Sequence, residues 1–146
     1  MKPPPGFHFH EDVHLLVWKP SGDVTEAVVN RALSFLAEME AVVGTPFNRF
    51  TDTSAQGPVE LTFQYIFHVA LYRRLSYSTR PPVKSGFFAT DPKVARLVKI
   101  HALLTDHSPL RVALFEKPEE AALWLGVPIT ALEIPTSPLR PSPSPR

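Results

Sequence analysis

The sequence predicts an α/β domain with a mainly parallel five-stranded sheet, about four helices, and a first strand that runs antiparallel at an edge. Three observations carry this reading. Short apolar runs of strand length alternate with longer stretches of helical period. The joining loops are short and marked by Asp, Pro, Gly and Thr. The opening segment alternates apolar and polar residues, as a half-buried strand does. The next run is continuously apolar, as a strand covered on both faces is.

The elements follow in order. Phe7 and Phe9 alternate with His8 and His10, which predicts the first strand. Leu15 to Trp18 form the second, closed by Lys19-Pro20-Ser21-Gly22. Asp23 with Glu26 three residues on has capping-box spacing and predicts a helix start. Val24, Val28, Ala32, Phe35, Leu36 and Met39 recur at helical spacing until Gly44 and Pro46. Phe47 to Thr53 is the third strand, with Asp52 near its close and Thr53 to Gly57 as the turn. A second helix is predicted from about Pro58 to about Ser76. "VKSGFFAT" is the fourth strand, and Asp91-Pro92 starts a third helix with Val94, Leu97, Val98, His101 and Leu104 inward. "RVALF" is the fifth strand, and Pro118 to Gly126 a last short helix. Strand-helix repeats of this kind argue a parallel sheet.

A chain of 146 residues, 44% hydrophobic, points to one domain with a real core. The 17 prolines concentrate at the two ends: three lie within the first five residues and five from Pro135 onward. The expected organisation is a flexible start over 1–6, a folded domain over 7–128, and a disordered Pro-rich tail over 129–146. A net charge of +1, with acids and bases interspersed, gives no reason to expect nucleic acid as a partner. Cys is absent, which removes disulfides and thiolate chemistry. The first residues do not read as a signal peptide, and no run approaches the ~20 apolar residues of a membrane span. The expected location is cytoplasmic.

The stretches "FNRFTD", "YRRLSY", "PPVKSG" and "EEAALWLGVP" look like those of a bacterial STAS-like group of unassigned function. Over residues 7–128 the element order resembles the SpoIIAA-like superfamily, which holds STAS domains and CRAL-TRIO lipid-binding domains. The resemblance implies a SpoIIAA-like fold and a non-enzymatic protein-interaction or regulatory module, with no cofactor. Small-molecule or lipid binding is its second implication. STAS anti-sigma antagonists commonly carry a phosphorylatable Ser between the third strand and its helix. The matching place here holds Asp52, Thr53 and Ser54, which makes Thr53 and Ser54 the candidate phosphoswitch. Gly57-Pro58 falls later than the usual Ser-Gly step.

Other candidates come from the residues themselves. Arg49, Arg73, Arg74, Arg80 and Lys84 collect toward one edge of a parallel sheet. Arg49, Arg73, Arg74 and Lys84 are therefore a candidate anion or partner patch, against the plainer role of basic residues at helix ends. His8, His10 and His14 beside Glu11 and Asp12 have a metal-like look, but no second cluster supplies further ligands. The expectation is no metal. No nucleophile-elbow sequence accompanies the histidines, so no catalytic residue is named. The second helix is apolar nearly all round. Val59, Phe63, Ile66, Phe67, Ala70 and Leu71 read as its core face. Leu61, Tyr65, Val69 and Tyr72 read as a second apolar face and a candidate homodimer interface.

Overall fold

Strand order determines which side the helices take. The computed structural model describes residues 3–135. Its main sheet is built from β1 (Phe7–His10), β2 (Leu15–Trp18), β4 (Asn48–Asp52), β6 (Val83–Phe88) and β7 (Leu110–Phe115), in that spatial order. β1 pairs antiparallel with β2 at the edge, and every other pair is parallel. Each crossover therefore steps the same way across the sheet. Right-handed crossovers then place α1 (Glu26–Val43), α2 (Phe63–Ser76) and α3 (Pro92–Leu104) on one face. The last helix, α4 (Pro118–Leu125), covers the other. The five strands, four helices and antiparallel edge strand are those the sequence predicts.

The pleat sorts the side chains between these layers. Leu15, Val17 and Phe50 pack against Ala121, Ala122 and Leu125 of α4. Leu16 turns the other way, against Phe35, Leu36 and Met39 of α1 and Phe47. Val94 and Val98 of α3 pack with Val24, Val59 and Ala89. Phe50, at 1% exposure in the central β4, anchors the α4 side. Gly44 and Gly126 end α1 and α4 in the left-handed region, with φ of 78° and 73°.

Two expected helix starts are corrected. Residues 23 and 58 do not begin helices. Gly22–Thr25 forms a short strand, β3, which pairs in parallel with β5 (Gln56–Glu60) as a separate two-stranded sheet. Val24 opposite Val59 supplies its buried centre. Thr25, not Asp23, caps α1 by accepting from Val28 N, and Thr62 caps α2 by accepting from Tyr65 N. Asp52 does close β4. Its carboxylate accepts from Ser54 N at 2.9 Å, and the turn leads into β5. Asp91 caps α3 as expected, accepting from Lys93 N.

The folded part also passes the expected boundary at residue 128. Ile129–Leu132 makes a turn of 3-10 helix whose Ala131 and Leu132 join the α4 core, with Ile134 against it. The His10 ring sits 3.0 Å from Glu133 O, which ties this segment to β1. Apolar burial here outweighs the compositional signal of the following prolines. At the other end Lys19 N donates to Gly6 O at 2.8 Å. The remainder of the expected tail, 136–146, and residues 1–2 lie outside the described residues. No helix among the described residues is long and apolar enough to cross a membrane.

Candidate functional site

A cavity of about 160 Å3 lies between the sheet and α1, α2 and α3. Its walls are largely apolar. Leu33 and Leu36 come from α1, Ile66 and Val69 from α2, Leu97 and Val98 from α3. The sheet floor contributes Leu16, Thr51, Ser85 and Phe87. Three basic side chains, Arg49, Arg73 and His101, also line it, and all three are buried.

The seam between α1 and α2 is fastened at both ends by polar contacts. At the first ends, the half-buried Tyr65 hydroxyl of α2 donates to Asn30 Oδ1 and lies 3.3 Å from Glu26 O of α1. Burial, and then the Glu26 charge, raises the Tyr65 pKa, which keeps the phenol a donor. At the far ends, Glu40 of α1 gathers three donors. Arg49 Nη2 donates to Oε2 at 3.0 Å, Arg80 Nη1 to Oε1 at 2.9 Å, and the Tyr77 hydroxyl to Oε2. Arg49 Nη1 also donates to the Tyr77 hydroxyl oxygen at 3.0 Å. Burial alone raises the Glu40 pKa. The Tyr77 hydrogen bond, the Arg49 charge and the Arg49 and Arg80 hydrogen bonds outweigh it and hold the carboxyl below its ordinary value.

Arg73 is differently placed. It sits on the buried face of α2 with Ile66 and Ala70, and is 6% exposed. No carboxylate lies within ion-pair distance of it among the described residues. Its Nη1 reaches His101 Nε2 at a long 3.5 Å, and its guanidinium carbon lies 5.8 Å from the Tyr77 ring centroid. Arg49 Nε, Arg73 Nε and His101 Nδ1 are buried with no hydrogen-bond partner among the described residues. Burial lowers the Arg73 pKa. Burial, and then the Arg73 charge, pushes His101 down to about 3, so the imidazole is neutral. An arginine only donates, so His101 Nε2 accepts and Nδ1 carries the proton.

The expected basic patch is therefore corrected. Arg49 and Arg73 face the cavity rather than solvent. Arg74 donates to Leu104 O at 3.3 Å and to Asp106 O, capping the end of α3. Lys84 lies on the opposite face of the sheet, where Nζ donates to Trp124 O at 2.8 Å. Alternation along β4 and β6 separates these groups, and linear spacing from strand ends did not include it. The candidate phosphoswitch residues stand in the β4–β5 turn. Thr53 Oγ1 donates to Phe88 O at 2.8 Å and is half-buried, whereas Ser54 is exposed. His8 and His10 share one face of β1, with ring centroids 4.5 Å apart.

The faces of α2 are also corrected. Val69 and Leu61 line the cavity, and Tyr65 is bonded to α1, so neither these residues nor Tyr65 forms an outer face. Tyr72 is exposed. Of the expected core face, Phe63, Phe67 and Leu71 are exposed instead, and Leu75 joins them. The helix is rotated because Arg73, which the periodic apolar pattern passes over, occupies a buried position in line with Ile66 and Ala70. The spacing 66, 70, 73, 77 was the available signal. Sequence reading missed Glu40, which lies in none of the quoted stretches, and Tyr77, which closes "YRRLSY", a stretch with no chemical role to carry over.

No family model matches the chain, and no curated protein sequence matches it. Its structure is similar to the crystal structure of an uncharacterized protein of the DUF3478 family with a SpoIIAA-like fold from Shewanella loihica PV-4. The two share 16% identity with a TM-score of 0.54, over 82% of this chain and 90% of the other. The chain has a SpoIIAA-like fold.

Proposed function

We propose that this chain is a non-enzymatic binding module that holds a small amphipathic molecule between its sheet and α1, α2 and α3. The supporting observation is the cavity itself: apolar walls with buried basic groups, flanked by two helices that polar contacts join at both ends. Ligand sites of this kind combine an apolar lining with a few placed polar groups. A neutral probe tests the reading. The expected result is that 1-hexanol raises the unfolding temperature of the wild-type chain. In Val69→Trp, where an indole fills the space, that stabilisation is lost while cooperative unfolding persists. Equal stabilisation of both proteins, or of neither, counts against the cavity as a binding site.

A second reading, a protein-interaction module, has its own support in the outer face of α2. Phe63, Phe67, Leu71, Tyr72 and Leu75 are 59%, 41%, 45%, 64% and 66% exposed. A second copy of the chain suits this stripe. None of the five is charged, so the face meets its own image without like-charge repulsion, and two-fold pairing covers one patch with its copy. Nearby Arg74 is bonded to carbonyls of the α3 end. Wild-type protein is expected to sediment as a concentration-dependent dimer. Phe67→Glu with Leu71→Glu is expected to be a folded monomer, since both sites are solvent-exposed. A wild-type monomer at high concentration ends this reading.

A further inference from the structure

We infer that the cavity takes a small monocarboxylate with an apolar body, its carboxylate seated on Arg73. This rests on the proposed cavity binding and adds the chemical class of the ligand.

The first ground is charge. Glu40 bonds Arg49 and Arg80, and Arg73 remains without an ion-pair partner among the described residues. Burial disfavours the Arg73 charge more than Tyr77 and the more distant Glu40 favour it, and an anion in contact with the guanidinium offsets that cost. The second ground is unmet hydrogen bonding. Arg73 Nε–H and His101 Nδ1–H belong to adjacent side chains that both line the cavity, and neither has a partner among the described residues; Arg49 Nε–H is in the same state, but Arg49 is already paired with Glu40. Arginine offers a planar fork that fits a carboxylate bidentately. Neutral His101 adds no second positive charge. Among the buried groups, Arg49 and Arg73 against Glu40 leave one net positive charge, Arg80 being solvent-exposed, and that matches a monoanion better than a phosphate dianion. The third ground is size and polarity. An apolar cavity of ~150 Å3 holds a benzene-sized molecule. The 160 Å3 here suits roughly six to seven non-hydrogen atoms on the same scale. The walls contributed by Leu33, Leu36, Ile66, Val69 and Leu97 leave the remainder of the ligand apolar.

Pentanoate and pentanamide, matched in shape and differing in charge, separate this inference from the reading beneath it. Calorimetric titration of the wild-type chain is expected to give pentanoate a dissociation constant roughly ten- to a hundredfold below that of pentanamide. Arg73→Met is expected to erase the difference while still binding pentanamide. Equal affinities in the wild type overturn the carboxylate assignment and leave the cavity reading intact. Binding of neither probe at millimolar concentration overturns both. An acid preference that survives in Arg73→Met overturns Arg73 as the counter-ion. Should Arg73→Met fail to fold, the wild-type comparison still decides the ligand class. Arg73→Lys then tests the seat: a reduced preference supports the arginine fork, and an undiminished one opposes it.

Discussion

Glu40→Ala is expected to lower the free energy of unfolding by ~3 kcal/mol or more, measured by urea denaturation near neutral pH. The reason is not the loss of one surface ion pair. Glu40 is the acid that bonds Arg49, whose side chain is 6% exposed, and it also accepts from Tyr77 and Arg80. Removing the carboxylate leaves Arg49 buried without an acid beside it, close to the already unpaired Arg73. Breaking a buried pair from one side typically costs about 3 to 5 kcal/mol, and the partial exposure of Glu40, at 19%, argues for the lower end. Arg80→Ala supplies the contrast. Arg80 is 45% exposed, so its removal should cost under ~1 kcal/mol. Equal losses in the two variants would show that solvent supplies what Glu40 supplies, and would refute the cluster as a fastening of α1 to α2.

The main sheet was legible because each of its segments carries one dominant signal. Leu15 to Trp18 are continuously apolar, and β2 is covered on both faces. Asp91-Pro92 reads as a helix cap and is one. The two-stranded sheet was not legible. β3 and β5 contain Gly22, Asp23, Gly57 and Pro58, residues that disfavour strands, and each has one buried residue, Val24 or Val59. A tertiary contact between two short segments overrode local propensity, and those segments carried better helix-start signals than strand signals. The turn at Ile129–Leu132 was hidden for the same reason. Two buried residues beside several prolines do not make a periodic pattern.

The cavity was legible only in fragments. The inward position of His101 follows from the spacing of Val94, Leu97 and Val98 on α3. That Arg73 also turns inward follows from Ile66 and Ala70, but charge argues for solvent when α2 is read alone. What decides it is the neighbouring layer. α3 packs beside α2 and brings His101 to Arg73, and β4 brings Arg49 to Glu40 of α1. Arg73 and His101 stand 28 residues apart, beyond a local window, and Glu40 and Arg49, though nine apart, lie on a helix and a strand, so no single period relates either pair. The exposed Phe63 and Phe67 are the counterpart. Periodicity assigned them to the core because apolar character alone does not distinguish an inner stripe from an outer one.

The same buried imidazole predicts how the fold responds to acid. His101 is neutral in the native chain, with its pKa moved from 6.5 to about 3 by burial and then by the Arg73 charge. The unfolded chain regains the ordinary value and takes up a proton below pH 6.5, which the native chain does not. Stability contributed by the neutral ring is therefore whole above pH 6.5 and declines as pH falls toward 3. The slope approaches ~1.4 kcal/mol per pH unit, and the full loss approaches ~5 kcal/mol. Glu40 acts in the same direction but in a lower window. Its carboxyl is held below 4.5, so its contribution is present above that value and is lost as pH falls through the lowered one. His8 is also lowered, by burial and then by His10, and adds to the upper window. Urea unfolding from pH 7 to pH 4.5 reads the His101 part, with His8→Gln as the background. The expected loss over that range in His8→Gln is about 2 to 3 kcal/mol. Adding His101→Gln should flatten most of it, because a glutamine takes up no proton in either state. An unchanged slope in the double variant would mean that the imidazole is reached by solvent or finds an acid when charged. It would also remove the case for a neutral His101 beside Arg73.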